Sequence, residues 1–185
     1  MAEDSYDLVL VGTGFASSFF LHGYLKRAPP NARVLVLERG PRHSHAWQLA
    51  NREQMPALVE GTFTNRSPKP WLHSPIFGGG SNCWWGCTPR LLPNDFRLRS
   101  AYGVAADWPV QYDELEPFYQ EAEDIMAVSG PADGPFPRSR PYPQAPHRLS
   151  DPDRILQKAY AGRFFAMPSA RTRSPTAHRP PCCAT

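Results

Sequence analysis

Gly12, Gly14 and Glu38 are the first residues of this chain whose types and spacing suit a chemical task. In the run Gly12-Thr13-Gly14-Phe15-Ala16-Ser17, Gly12 lets the chain turn sharply out of an apolar stretch. Gly14 removes a side chain where a pyrophosphate has to approach the backbone, and the third position calls for a small residue so that helix and strand pack closely. Ser17 meets that need less well than Gly or Ala. A helix opening at this point offers unbonded N–H groups and a partial positive charge to phosphates. Glu38 follows 24 residues after Gly14. A carboxylate there accepts from a ribose 2′-hydroxyl and repels a 2′-phosphate. The chemistry suggested is binding of a dinucleotide such as FAD or NAD, rather than NADP. The same glycines would serve an ordinary turn in an α/β unit. The succession of strand, loop, helix, second strand and terminal Glu favours the dinucleotide. Neither a GxxxxGK[ST] loop nor a Tyr-x-x-x-Lys pair occurs.

A second block, Gly78-Gly79-Gly80-Ser81-Asn82-Cys83-Trp84-Trp85, adds a glycine triplet. Such a triplet brings backbone amides against a flat ring or a pyrophosphate without steric cost. Trp84 and Trp85 could cover a ring face. On these residues alone, a structural turn followed by core tryptophans fits equally well.

These residues need elements to position them. Tyr6–Val11 reads as a strand buried on both faces, Phe15–Lys26 as a helix broken by Pro29-Pro30, and Arg33–Glu38 as a second strand closed by Gly40-Pro41. That is one β-α-β unit of the ordinary size. Gln48–Leu58 suggests a helix interrupted near Pro56, and Asn82–Gly86 the opening of a short helix behind the glycines. Asp107-Trp108-Pro109 reads as a turn. Tyr112–Met126 has helical spacing, with one apolar face to pack, one charged face to solvate, and Pro117 as a kink or a new start. Gly130–Pro146 is Pro-rich and reads as extended. Ser150-Asp151-Pro152 is a helix start, with the helix running to about Gly162.

The 185 residues include 22 Pro, about 12 %, against a usual ~5 %. Charge is uneven. Met1–Pro135 carries 11 Lys/Arg against 15 Asp/Glu, and Phe136–Thr185 carries 9 against 2. The arginines of the tail are scattered among prolines and lack an aromatic stacking pattern, which argues against nucleic acid. The tail reads as a solvated or unpaired segment awaiting further domain structure. No apolar run approaches the ~18–20 residues of a membrane helix. The acidic start lacks the basic region of a signal peptide. A cytoplasmic protein without membrane or nucleic-acid partners is the expectation. Cys83-x-x-x-Cys87 and Cys182-Cys183 lack zinc-ligand spacing.

Taken together, the motifs resemble the N-terminal part of a glucose–methanol–choline (GMC) flavin oxidoreductase. The matching pieces are the first glycine loop, Leu37-Glu38-Arg39-Gly40, Gly79-Gly80-Ser81 and Pro93-x-Asp95-Phe96. Asp107–Val110, Tyr112–Tyr119, Ala122-Glu123 and Val128–Gly130 follow in order. The block from Gly78 to Arg90 is most similar to the pyranose-oxidase-like branch. The resemblance implies an α/β fold class, an incomplete Rossmann-like FAD-binding β-α-β unit with irregular, loop-rich extensions. It implies residues 1–130 as the N-terminal part of an FAD-binding domain and 131–185 as the start of further structure cut short. FAD would be held by Gly12, Gly14, Phe15, Ala16 and Ser17 at the pyrophosphate. Glu38 with Arg39 would lie at the adenosine ribose, and Gly79, Gly80, Ser81, Asn82 and Cys83 along the flavin. Cys83 stands where pyranose oxidases carry a flavin-linked histidine, so non-covalent FAD is expected, with a Cys83 thioether as the covalent alternative. The implied substrate is a small-molecule sugar, polyol or other alcohol, oxidised by hydride transfer, with an electron acceptor that the residues do not name. The family's base histidine has no matching motif here, so the chain is expected to be an inactive N-terminal fragment. A non-catalytic nucleotide-binding protein and an NAD-dependent dehydrogenase are the alternatives.

Overall fold

The computed structural model describes residues 5–51, 62–69 and 73–177. Its contacts group into two compact units, Met1–Trp85 and Gly86–Thr185.

In the first unit, β1 (Leu8–Val11) and β2 (Val34–Leu37) pair in parallel, with Leu8 beside Val34 and Val11 beside Leu37. A parallel pair needs a crossover, and α1 (Phe15–Leu25) supplies it. The pairing extends past both ends, where Asp7 N–H donates to Arg33 C=O at 2.9 Å and Gly12 N–H to Leu37 C=O at 2.7 Å. The predicted β-α-β unit is therefore present, with strands shorter than their apolar runs. Burial on both faces is not met. Val9 is 50 % exposed and Val11 80 %, because among the described residues the sheet has two strands and no second layer. Helix α1 is rich in apolar residues, yet none of its residues is buried.

Helix α2 (His45–Ala50) starts earlier than the expected helix, because Ser44 caps it by accepting the Trp47 N–H at 3.1 Å. The rest of the expected helix, with Pro56, falls outside the described residues. The short helix foreseen behind the second glycine block is instead formed by the block itself, a 3-10 turn over Gly79–Asn82. Left-handed Gly78 (φ +96°) and Gly79 (φ +53°) start it, conformations that glycine adopts without strain.

The second unit opens with a 3-10 turn over Pro93–Arg97 and the short helix α3 (Leu98–Tyr102). Phe96 is fully buried there, edge-on to Trp108 at 5.4 Å between centroids. Helix α4 (Tyr112–Met126) runs through Pro117 without a break. Glu114 reaches back to the Gln111 N–H at 2.8 Å and fixes its start. Its packing reverses the expectation. The buried residues are Tyr112, Gln120 and Glu123, whereas Phe118 is 57 % exposed and Ile125 45 %. The reason is Arg90, which lies against the polar face of α4 and satisfies it.

Helix α5 (Asp151–Ala159) begins at the Ser150 cap as expected and stops sooner, with a turn to left-handed Gly162. The small core is Val128, Tyr142 and Ala170, with Met126 against it. Ser129 and Ser169 exchange both backbone hydrogen bonds, at 2.8 and 2.9 Å. Gln144 bonds to Val128 and Gly130 on the other side. These ladders tie the segments on either side of Gly130 together. The segment predicted as unpaired tail is partly folded in. Pro168 and Thr172 are buried, and Arg138 and Arg140 pair with Glu123 and Asp124 of α4. His178, Cys182 and Cys183 lie outside the described residues.

Candidate functional site

The first glycine loop leaves β1 at Gly12, whose φ of +90° requires glycine. Gly14 is extended and caps α1. The first helical bond is Ser18 N–H to Gly14 C=O at 3.0 Å. The amides of Phe15, Ala16 and Ser17 precede it and lack helical acceptors. No described side chain caps this end, and its first turn has no acidic residue. Its partial positive charge is therefore unopposed within the helix. A Cβ placed on Gly14 or Gly80 would meet no atom within 4 Å, and neither has a positive φ. The fold does not require glycine at either position. What glycine preserves there is open space in front of backbone amides.

Glu38 sits at the end of β2 and faces this loop. Its Oε2 accepts from Thr13 N–H at 3.0 Å and from the Thr13 hydroxyl at 2.5 Å. Its Oε1 accepts from Gly40 N–H at 2.8 Å. The Thr13 hydroxyl bond, then the Gly40 bond, hold its carboxyl below the usual carboxylate range. A carboxylate has about four acceptor sites. Oε2 takes both Thr13 donors and Oε1 the Gly40 N–H, with the Arg39 N–H also acting on the carboxylate.

Gly40 and Pro41 seat the second glycine block. A Cβ on Gly40 would overlap the Pro75 carbonyl and the Ile76 backbone, so this close approach needs glycine. Phe77 N–H donates to Pro41 C=O at 3.0 Å, and the Arg42 guanidinium lies 5.7 Å over the Phe77 ring. The chain then turns at Gly78, whose N–H donates to the Thr13 hydroxyl at 2.8 Å. Asn82 braces the turn from inside, with Nδ2 donating to the Phe77 and Gly79 carbonyls at 3.0 Å. A Cβ on Gly79 would lie 3.5 Å from Gly14 Cα, so the two glycine blocks are in van der Waals range. Phe15 and Trp84 meet edge-on at 4.7 Å. The tryptophans are not core residues here, since Trp84 is 38 % exposed and Trp85 79 %.

The structure thus brings together Gly12, Gly14, Phe15, Ala16, Ser17, Glu38, Gly79, Gly80, Ser81, Asn82 and Cys83. Arg39 is exposed beside Glu38. Cys83 Sγ points to Gly80 C=O at 3.7 Å, and desolvation pushes its thiol pKa up. Thr13 and Gly40 lie within the sequence motifs but were not expected as site residues. A hydroxyl residue between the two glycines, facing a carboxylate one strand later, was the available signal for Thr13.

Three of the described histidines have partners of their own. His43 stacks on Trp47, His73 bonds Thr62, and His147 bonds the Arg171 carbonyl. Among the described residues no group of three His, Cys, Asp or Glu could hold a metal ion, and no helix is long and apolar enough to cross a membrane.

A parallel β-α-β unit with glycine loops at an uncapped helix N-terminus and a strand-end Glu is a partial Rossmann-like α/β fold. Comparison with known proteins narrows it. The fructose dehydrogenase large subunit of Gluconobacter japonicus is 31 % identical, over 97 % of this chain and 39 % of its own length. The 2-methyl-1,2-propanediol dehydrogenase of Mycolicibacterium austroafricanum is 28 % identical, over 89 % of this chain and 31 % of its own. The gluconate 2-dehydrogenase flavoprotein of Pantoea cypripedii is 28 % identical, over 72 % and 25 % respectively. A crystal structure of pyridoxine 4-oxidase from Mesorbium loti aligns with 72 % of this chain and 30 % of its own, at 24 % identity and a TM-score of 0.45. No family model matches the chain. The homologues of this chain are GMC-type dehydrogenases and oxidases of alcohols and sugars, and the similarity to the first of them runs over nearly the whole chain. It spans between a quarter and two fifths of the length of these curated relatives.

Proposed function

We propose that this chain forms the nucleotide-binding part of an FAD-dependent oxidoreductase that takes hydride from the CH–OH carbon of a sugar, polyol or other alcohol. The observation that carries the reading is the pair of glycines, Gly14 and Gly80, kept where neither backbone conformation nor packing requires them. They leave backbone donors accessible beside the strand-end carboxylate Glu38.

The residues present fit a dinucleotide. The Phe15, Ala16 and Ser17 amides would hold its pyrophosphate, and Glu38 Oε1 its adenosine ribose. Gly79, Gly80, Ser81, Asn82 and Cys83 would line the flavin side. FAD, when bound, supplies a hydride acceptor that side chains lack. Non-covalent attachment is supported by Cys83, whose raised pKa keeps it a weakly nucleophilic thiol at neutral pH. The word flavoprotein in the name of the gluconate dehydrogenase relative supports the choice of flavin.

Alcohol oxidation also needs a base for the hydroxyl proton. Among the described residues, His73 and His147 hydrogen-bond to Thr62 and the Arg171 carbonyl, not to the glycines of either loop. Turnover therefore requires structure beyond these residues, and the exposed Val9, Val11, Phe20 and Leu37 offer apolar surface for it to cover. The 185-residue chain alone is a weak nucleotide binder without catalytic turnover.

The test is a nuclear magnetic resonance titration of the chain. ADP is expected to shift the amides of Gly12, Gly14–Ser17 and Glu38–Gly40, and FAD to extend the changes to Gly79–Cys83. Adenosine 2′,5′-bisphosphate should bind more weakly than ADP, because Glu38 repels the 2′-phosphate. Equal or tighter binding of the 2′-phosphate ligand refutes the site. Turnover of sugars or alcohols by the isolated chain with FAD and an artificial acceptor refutes the missing base.

A further inference from the structure

Thr13 lies between Gly12 and Gly14, and its hydroxyl makes two bonds of opposite sense. It donates to Glu38 Oε2 at 2.5 Å and accepts from Gly78 N–H at 2.8 Å. The partners are 25 and 65 residues away in sequence. The direction of each bond is forced. An ionised carboxylate only accepts, and a backbone N–H only donates. The hydroxyl proton must therefore point to Glu38, which turns a lone pair to Gly78. One side-chain atom joins the phosphate loop, the end of β2 and the second glycine block.

Each bond has a consequence for the site. Two donors from Thr13 occupy Oε2, so a further side-chain or ligand donor meets the carboxylate at Oε1, beside the Gly40 N–H. Gly78 is the left-handed residue from which the Gly79–Asn82 turn departs. Holding its N–H fixes where that turn begins relative to Gly14. Serine would keep both bonds. Alanine would lose both, and valine would lose both while keeping the branched shape.

Resting on the dinucleotide reading above, we propose that Thr13 is a positioning residue. Its hydroxyl orients Glu38 so that Oε1 receives the ribose hydroxyl, and it seats the Gly78–Asn82 turn against the phosphate loop.

The test compares the 185-residue chain with its T13S, T13A and T13V variants, folding being checked by circular dichroism. The first readout is hydrogen exchange at the Gly78 amide. T13A and T13V are expected to speed it about tenfold, the loss of one part-buried hydrogen bond, and T13S to keep it within about threefold of the parent. The second readout is ADP affinity. It should fall about tenfold in T13A and T13V and return in T13S, because Glu38 loses its orientation. Unchanged Gly78 exchange in T13V overturns the coupling between the two loops. Equal ADP affinity in all four proteins overturns the positioning of Glu38. ADP binding to none of them overturns the nucleotide reading itself and the ribose part of the proposal with it. The Gly78 exchange pattern then decides the remaining part, the seating of the second block. T13S behaving like T13A overturns the role of the hydroxyl.

Discussion

Arg90 and Glu123 meet through two parallel hydrogen bonds, Nε to Oε1 at 2.8 Å and Nη2 to Oε2 at 2.9 Å. Both side chains are almost wholly buried, at 1 % and 4 % exposure. Burial works against the Arg90 charge, but bonds to Glu123, Tyr112 and Glu116 outweigh it and hold the guanidinium firmly protonated. Arg90 Nη1 also donates to the Pro137 carbonyl at 3.0 Å, so the pair pins the Pro-rich segment onto α4. Breaking a buried pair from one side leaves an uncompensated charge. Arg90→Met and Glu123→Leu should each destabilise the chain by about 3–5 kcal/mol, read from urea denaturation. A loss under about 1 kcal/mol in both would show that the pair is not a support of this fold.

Sequence periodicity revealed the first unit and misread the second for the same reason. In the β-α-β unit, local rules suffice. Apolar runs make strands, glycine ends them, and Pro29-Pro30 ends the helix. In α4, Glu116, Gln120 and Glu123 follow helical spacing as a polar stripe, which ordinarily faces water. What buries them is Arg90, 33 positions before Glu123. A single arginine leaves no periodic trace. The charge asymmetry was legible and its meaning was not. The basic segment after Phe136 answers the acidic helix within the same chain, through Arg138 to Glu123 and Arg140 to Asp124. In the site, the glycines and Glu38 carried their own signal, whereas Thr13 and Gly40 act through contacts that only folding creates.

The glycines divide into two kinds that mutation separates. A Cβ at Gly40 would overlap the Pro75 carbonyl and Ile76 backbone, whereas at Gly14 it would meet nothing. Gly40→Ala should destabilise by about 1–3 kcal/mol through overpacking and loosen the Phe77–Asn82 turn. Gly14→Ala should leave stability within about 0.5 kcal/mol yet weaken ADP binding, because its methyl occupies the approach to the α1 amides. Thermal denaturation and ADP titration of the two variants check this. Gly14→Ala binding ADP as well as the parent would remove the case for a phosphate at that loop.

Cys83 bears on how flavin attaches. Desolvation raises its pKa above the ordinary thiol value. Its alkylation by iodoacetamide should be slow at pH 7 and still rising at pH 9, since only the thiolate attacks. Mass mapping of the modified peptide follows Cys83 separately from Cys87. A rate that levels off below pH 8 would mark an activated thiolate and revive the thioether.

Acid should release Glu38 from Thr13. Its pKa is lowered in the folded chain, first by the Thr13 hydroxyl and then by Gly40 N–H. A depressed folded pKa means the stabilisation is fully present above the unfolded value, near 4.5, and is lost as pH falls through the folded value. Glu116 is also lowered. Its burial opposes the charge, but bonds from Ser139 and Arg90 prevail, so it loses stabilisation in the same direction. Acid lability is therefore expected below about pH 4.5, with Glu38 accounting for the part felt at the glycine loops. The check is a carboxyl titration by nuclear magnetic resonance, with Glu38 assigned. The parent and T13S should titrate below 4.5, and T13V should move back toward that value. Over the same range, Gly78 amide exchange should rise as Glu38 protonates in the parent and stay fast throughout in T13V. A Glu38 midpoint unmoved by T13V would mean that the carboxylate is held by backbone N–H groups, those of residue 13 and Gly40 among them, without the Thr13 hydroxyl.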